Sequence, residues 1–177
     1  MSVPVEIPLT HALLRPWRAS DAESLARHAD DREVWRNMRD RFPHPYTVRD
    51  AKEWLAFVAT VPPGTNFAIE VDGRAVGGIS FEPLADVFRV GAEIGYWLGK
   101  PYWGRGIITE AVRAVSDHAF RHFEFIRLQA SVFSWNPASA RVLEKAGYTL
   151  EATNRRAMIK EDEIGDRWLY VRLRDER

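Results

Sequence analysis

Gly104-Arg105-Gly106 stands directly before a helical stretch that carries Thr109 in its first turn, and it follows the run Glu93-Ile94-Gly95-Tyr96-Trp97-Leu98 through Lys100-Pro101-Tyr102-Trp103. Glycines let backbone amides approach a diphosphate closely, and the first-turn N–H groups of a helix lack internal partners. Amides and helix dipole together can therefore hold an anion. A G-x-G ahead of a helix also occurs as a plain tight turn with close packing, so it needs a second partner. Asn136 opens such a partner, the run Asn136-Pro137-Ala138-Ser139-Ala140-Arg141-Val142-Leu143-Glu144-Lys145-Ala146-Gly147-Tyr148. Asn before Pro reads as an N-cap with proline at the first helical position, and Gly147 as the stop. A ligand-holding role for Asn136 is compatible with that capping role.

The elements that must place these residues follow from periodicity. Residues 13–17 read as a first strand, and Ser20-Asp21-Ala22-Glu23 as the capped start of a helix to about Ala29. Residues 32–39 suggest a second helical piece. Phe42-Pro43-His44-Pro45-Tyr46 forms a shaped loop, because two prolines remove donors and restrict their predecessors, and Thr47 restarts a helix to about Ala59. Phe67, Ile69 and Val71 then alternate, Asp72-Gly73 signals a hairpin, and residues 75–81 return as a strand. Residues 89–98 form another strand and 104–123 a helix, with Ile108, Ala111, Val112, Val115 and Ala119 as its apolar stripe. Strand 127–133, helix 137–146 and strands 148–152 and 168–173 complete the chain, with no repeat or linker.

A length of 177 residues suits one domain, 1–177, that folds without staples. The absence of cysteine excludes thiolate catalysis and Cys-ligated metal. Equal numbers of basic and acidic side chains, 25 each, supply no global field for nucleic acid or an anionic membrane. No apolar run approaches the roughly 20 residues that span a bilayer, so a soluble, cytoplasmic protein is expected. His118 and His122 share a helix face, but His118 lacks the neighbouring Glu of a metalloprotease motif, and no metal is expected.

With these blocks in this order, and with Phe42-Pro43-His44-Pro45-Tyr46-Thr47 upstream, the chain resembles the GNAT acetyltransferase superfamily over nearly its whole length, specifically the Rim-type branch whose named members acetylate ribosomal-protein N-termini. The resemblance implies an α/β (α+β) fold: a mixed, mostly antiparallel twisted sheet flanked by helices, whose fourth and fifth strands, 89–98 and 127–133, splay apart. Acetyl-CoA would be the co-substrate, its pantetheine entering that gap against the backbone of Trp97 and Leu98. Gly104, Arg105, Gly106 and Ile107 would take the diphosphate with Thr109 beside them, and Asn136 would hold the pantetheine arm.

Acyl transfer from a thioester needs a neutral amine, a stabilised oxyanion and a proton for the departing thiolate. The resemblance assigns the oxyanion to a backbone N–H near Leu98. Many relatives carry a tyrosine where Leu143 stands, so Ser139, one turn earlier on the same face, is the expected proton donor, with water as the alternative. Glu93 is the candidate base through water, or else part of a structural network; Glu82 is the weaker choice. Trp35, Asn37, Arg39, Phe42, His44 and Tyr46 would form the acceptor wall, helix packing being an equal reading for Trp35.

Deprotonating an α-amine at pH 7 costs about 1 kcal/mol, against roughly 4.6 for lysine, so a sparsely equipped site suits a protein N-terminus. A small amine such as a polyamine, an amino acid or an antibiotic is the alternative acceptor, and a non-catalytic acyl-CoA sensor the alternative function. A dinucleotide-binding fold would place its glycine loop after the first strand. Exposed aromatics could pair two copies as a homodimer.

Overall fold

A computed structural model describes residues 5–175, and the outermost residues of the expected 1–177 domain lie outside them. Eight strands, β1 (Ile7–Pro8), β2 (Leu13–Arg15), β3 (Asn66–Val71), β4 (Arg74–Pro83), β5 (Gly91–Leu98), β6 (Arg127–Phe133), β7 (Thr149–Lys160) and β8 (Glu163–Leu173), lie in the order β1-β2-β3-β4-β5-β6-β8-β7. The sheet is open and mostly antiparallel, as expected; β5 and β6 run parallel. Their ladder joins Gly91, Ala92 and Glu93 to Arg127, Leu128 and Gln129 and stops there, although both strands continue. These are the strands expected to splay; the short β1 was not anticipated.

Among the described residues, five α-helices accompany the sheet: α1 (Ala22–Ala29), α2 (Arg32–Trp35), α3 (Val48–Val58), α4 (Ile107–His122) and α5 (Pro137–Lys145). The helix expected to restart at Thr47 does so, and Thr47 caps it, its hydroxyl accepting the Asp50 N–H while the Asp50 carboxylate takes the Thr47 N–H. Asp72 at φ 49° and Gly73 at φ 75° make the tight turn that joins β3 to β4.

The described residues form two compact units. One holds the segment up to Ser80 together with Tyr96–Ala111; the other holds Phe81–Gly95 and the chain from Val112 onward. In the first, Leu25, Ala29, Val34, Tyr46, Ala51, Leu55 and Trp97 form a buried cluster with Phe42 and Trp54 against it. In the second, Val112, Val115 and Ala119 of α4 are fully buried, as are Leu128 and Leu143. Phe123 and Phe125 stack, Phe81 stands edge-on to both, and the buried His118 lies against Phe81 and Phe123.

Several expected boundaries move, each for a physical reason. Asp21 does not cap α1 with its side chain. Its carboxylate instead takes both terminal nitrogens of the buried Arg15 at 2.8 Å, and Arg15 also pairs with Glu70. The second helical piece ends at Trp35 and continues as turns in which Asn37 and Met38 reach back three residues. The 104–123 helix starts at Ile107, because Gly104 and Gly106 both lie at φ 76°. Its stripe uses the buried Ile107 rather than the half-buried Ile108. The two final strands are longer than periodicity suggests, since most of β7 is exposed and shows no alternation.

Candidate functional site

In the first unit, β5 ends at Leu98 and the chain turns through a 3-10 segment, Lys100–Tyr102, into the glycine loop. The Gly106 carbonyl accepts the Glu110 N–H at 3.1 Å, which makes Gly106 the N-cap of α4. The amides of Gly106, Ile107, Ile108 and Thr109 therefore lie outside the helix's own ladder, at the positive end of its dipole. A Cβ on Gly104 or Gly106 would meet nothing within 4 Å. Glycine is there for its backbone angle, and the space beside the loop is open. The buried Ile107 side chain anchors this turn.

Arg105 is exposed on the same loop; its guanidinium donates to the Pro101 carbonyl at 3.0 Å and lies 5.3 Å from the centre of the Tyr102 ring. Lys100 is paired to Glu33. Glu110 is turned away to accept the N–H and hydroxyl of Thr10, at 3.1 and 2.6 Å. The arrangement thus presents amides and one guanidinium, which fits a diphosphate.

Trp97 is buried with Phe42 against it, so only its backbone could meet a ligand. The Leu98 carbonyl accepts the Trp103 indole N–H at 2.7 Å, at the strand end where the oxyanion donor is expected. Trp103 is thus a positioning residue that periodicity did not single out: it ties the strand end to the loop. His28 is a second such residue, its ring edge-on to Tyr102 and tight against Gly99, where a Cβ would lie 3.0 Å from its Nδ1. Burial first, then Arg27 and Arg74, holds the His28 pKa below its ordinary value.

The residues expected to form an acceptor wall also lie in this unit. His44 stacks on Trp35 at 5.4 Å, with its Nδ1 3.5 Å from Asp30 Oδ1, and the His44–Pro45 peptide is cis. Arg39 is exposed, whereas the Asn37 amide bonds back to the Glu33 carbonyl at 2.9 Å. Phe42 packs on Tyr46, whose ring is buried and whose hydroxyl pKa is pushed up to about 12 by that burial. Tyr46 thus backs Phe42 from the core.

In the second unit, Asn136 caps α5: its Oδ1 accepts the Ser139 N–H at 3.3 Å and its own N–H donates to Phe133 O at 2.8 Å. Capping uses the oxygen and leaves Nδ2 as a donor. Ser139 is half-buried on the first turn, and Leu143, one turn on, is fully buried. Glu93 stands at the last rung of the β5–β6 ladder, half-buried, and accepts the Ser131 hydroxyl at 3.0 Å. Glu82 is exposed. The rings of His118 and His122 lie 4.8 Å apart, and no group of metal-ligating side chains occurs among the described residues. None of the described helices is long and apolar enough to cross a membrane.

Residues 11–149 match the family model described as acetyltransferase (GNAT) domain. The probable N-acetyltransferase YjcK of Bacillus subtilis is 42% identical over 85 residues, 48% of this chain and 47% of that protein. The ribosomal-protein-serine acetyltransferase of Escherichia coli is 33% identical over 109 residues, 62% of this chain and 60% of that protein. These matches span between about half and three-fifths of the relatives' own length. Among solved structures, RimL, a ribosomal L7/L12 alpha-N-protein acetyltransferase in complex with coenzyme A, superposes with a TM-score of 0.83 at 22% identity, over 96% of this chain and 98% of that one. With the glycine loop, the capped Asn136 helix and the interrupted β5–β6 ladder all inside or beside the matched span, the chain belongs to the GNAT acetyltransferase family.

Proposed function

We propose that the chain is an acetyl-CoA-dependent N-acetyltransferase whose acceptor is a protein N-terminal α-amine. The observation that carries the acetyl-CoA part of this reading is the pair of left-handed glycines, Gly104 and Gly106, with open space beside them at the start of α4. Acetyl-CoA would supply an activated acetyl thioester. The loop amides and Arg105 would bind its diphosphate, with Thr109 beside them, and Asn136 Nδ2 would hold the pantetheine arm. The Leu98 N–H would orient the acetyl carbonyl.

Glu93, through water, would draw one proton from the incoming ammonium; as the nitrogen–carbon bond forms and the carbon–sulfur bond breaks, the Ser139 hydroxyl would give its proton to the departing sulfur and take back the second proton lost by the nitrogen. Trp35, Asn37, Arg39, Phe42 and His44 would guide the acceptor, with Tyr46 behind them. The α-amine reading is supported by the low cost of deprotonating such a group, about 1 kcal/mol at pH 7. The similarity to the ribosomal-protein-serine acetyltransferase of Escherichia coli supports the same reading. Thiol release from acetyl-CoA should be seen with N-terminal peptides and fall in Ser139→Ala and Asn136→Ala. Release confined to polyamines or free amino acids would overturn the choice of acceptor, and binding of acetyl-CoA with no release on any amine would overturn the activity.

A further inference from the structure

β7 does not run evenly beside β8. Its pairing shifts between Asn154 and Met158, and Arg155, Arg156 and Ala157 leave the ladder as an exposed bulge. Arg156 sits in the left-handed region at φ 51°. A side chain is disfavoured there and persists only where the surroundings impose it.

Asp166 imposes it. Its Oδ1 accepts the Arg156 N–H at 2.8 Å, its own N–H donates to Ser134 Oγ at 3.1 Å, and its carbonyl accepts the Ser134 N–H at 3.1 Å. Gly165 lets the two segments close, since a Cβ there would stand 2.4 Å from Trp135 Cζ3. The bulge is thereby pinned to the Ser134-Trp135-Asn136 loop.

The two arginines presented on this bulge have no carboxylate of the chain within ion-pair distance among the described residues. Other arginines of this unit do: Arg127 is held by Glu151 and Arg172 by Asp117. The Asp166 carboxylate is committed to backbone. Two exposed arginines on a bulge whose backbone is tied to the Asn136 loop match carboxylates in charge and in the planar, two-point geometry of the guanidinium group.

We propose that Arg155 and Arg156 recognise acidic side chains of the acceptor, so that the preferred substrate is a peptide with Asp or Glu shortly after its amino terminus. This rests on the N-terminal acetylation reading.

The test is steady-state acetylation of three peptides that share a first residue and carry acidic, neutral or basic side chains just after it. The wild type should favour the acidic peptide over the neutral one in kcat/KM by about tenfold. That ratio should vanish in Arg155→Ala with Arg156→Asn, since asparagine tolerates the left-handed backbone, and should favour the basic peptide in Arg155→Glu with Arg156→Glu. Peptide turnover without charge preference overturns this inference alone. So does a ratio preserved in the variants with a raised KM for acetyl-CoA, which would assign the arginines to coenzyme phosphates. Turnover of small amines with none on any peptide removes the parent reading, and this one with it.

Discussion

Asn136 uses the two ends of its amide differently, and that division can be measured. The oxygen caps α5, and in the proposed function the nitrogen donates to the pantetheine arm. Asn136→Ala should therefore lose about 1 kcal/mol of stability and also bind acetyl-CoA more weakly. Asn136→Asp keeps a good cap but replaces the donor with a charged acceptor. Its thermal midpoint should stay near that of the wild type while calorimetry shows acetyl-CoA affinity reduced about tenfold. An Asp variant that binds as well as the wild type would leave Asn136 a cap only. Asn136 could be singled out from its sequence because Asn-Pro marks a helix start by local chemistry alone. Asp21 could not: a Ser-Asp pair reads as a cap, but a buried Arg15 six residues away claims its carboxylate, a contact that local chemistry does not encode.

The glycine loop depends on how β5 ends. The Trp103 indole holds the Leu98 carbonyl and so fixes the strand end against the turn that leads to Gly104. Trp103→Phe keeps the ring but removes the donor, and should cost about 1 kcal/mol in a denaturant melt while raising the KM for acetyl-CoA more than it lowers kcat. An unchanged KM would show that the loop holds its shape without this bond. The glycine loop was legible because φ above zero and glycine go together. The first helical residue was not, since two adjacent isoleucines offer two phases of one stripe and only the start at Ile107 decides between them. The β7 bulge was likewise out of reach: Arg155 and Arg156 read as ordinary polar surface, and the turn of backbone that lifts them comes from Asp166, ten residues on from Arg156.

Over the whole chain, the order of elements was readable because each strand and helix has its own period; the mostly antiparallel sheet was implied by the family resemblance alone, and the lengths of β7 and β8 were set by mutual pairing. Stability of the fold should fail on the alkaline side in a defined window. Burial pushes the Tyr148 hydroxyl, bonded to Ser116 Oγ at 2.7 Å, up to about 12, and Tyr46 likewise. A pKa raised on folding means that the neutral form is the folded one. The contribution is complete below pH 10, the ordinary tyrosine value, and is lost as pH rises toward about 12. For Tyr148 this amounts to about 2–3 kcal/mol. Urea midpoints should fall steeply between those limits, and less steeply in Tyr148→Phe; equal slopes would mean that this phenol does not drive the transition.

The reading of the chain as an N-terminal acetyltransferase is put at risk most directly by mass spectrometry of a peptide offering both an α-amine and a lysine, incubated with acetyl-CoA and the wild-type chain. The acetyl group is expected on the α-amine, with the rate rising as pH passes through about 7.7–8.0, where that amine becomes neutral. Acetyl on the lysine alone, or an unmodified peptide beside bound acetyl-CoA, would contradict it.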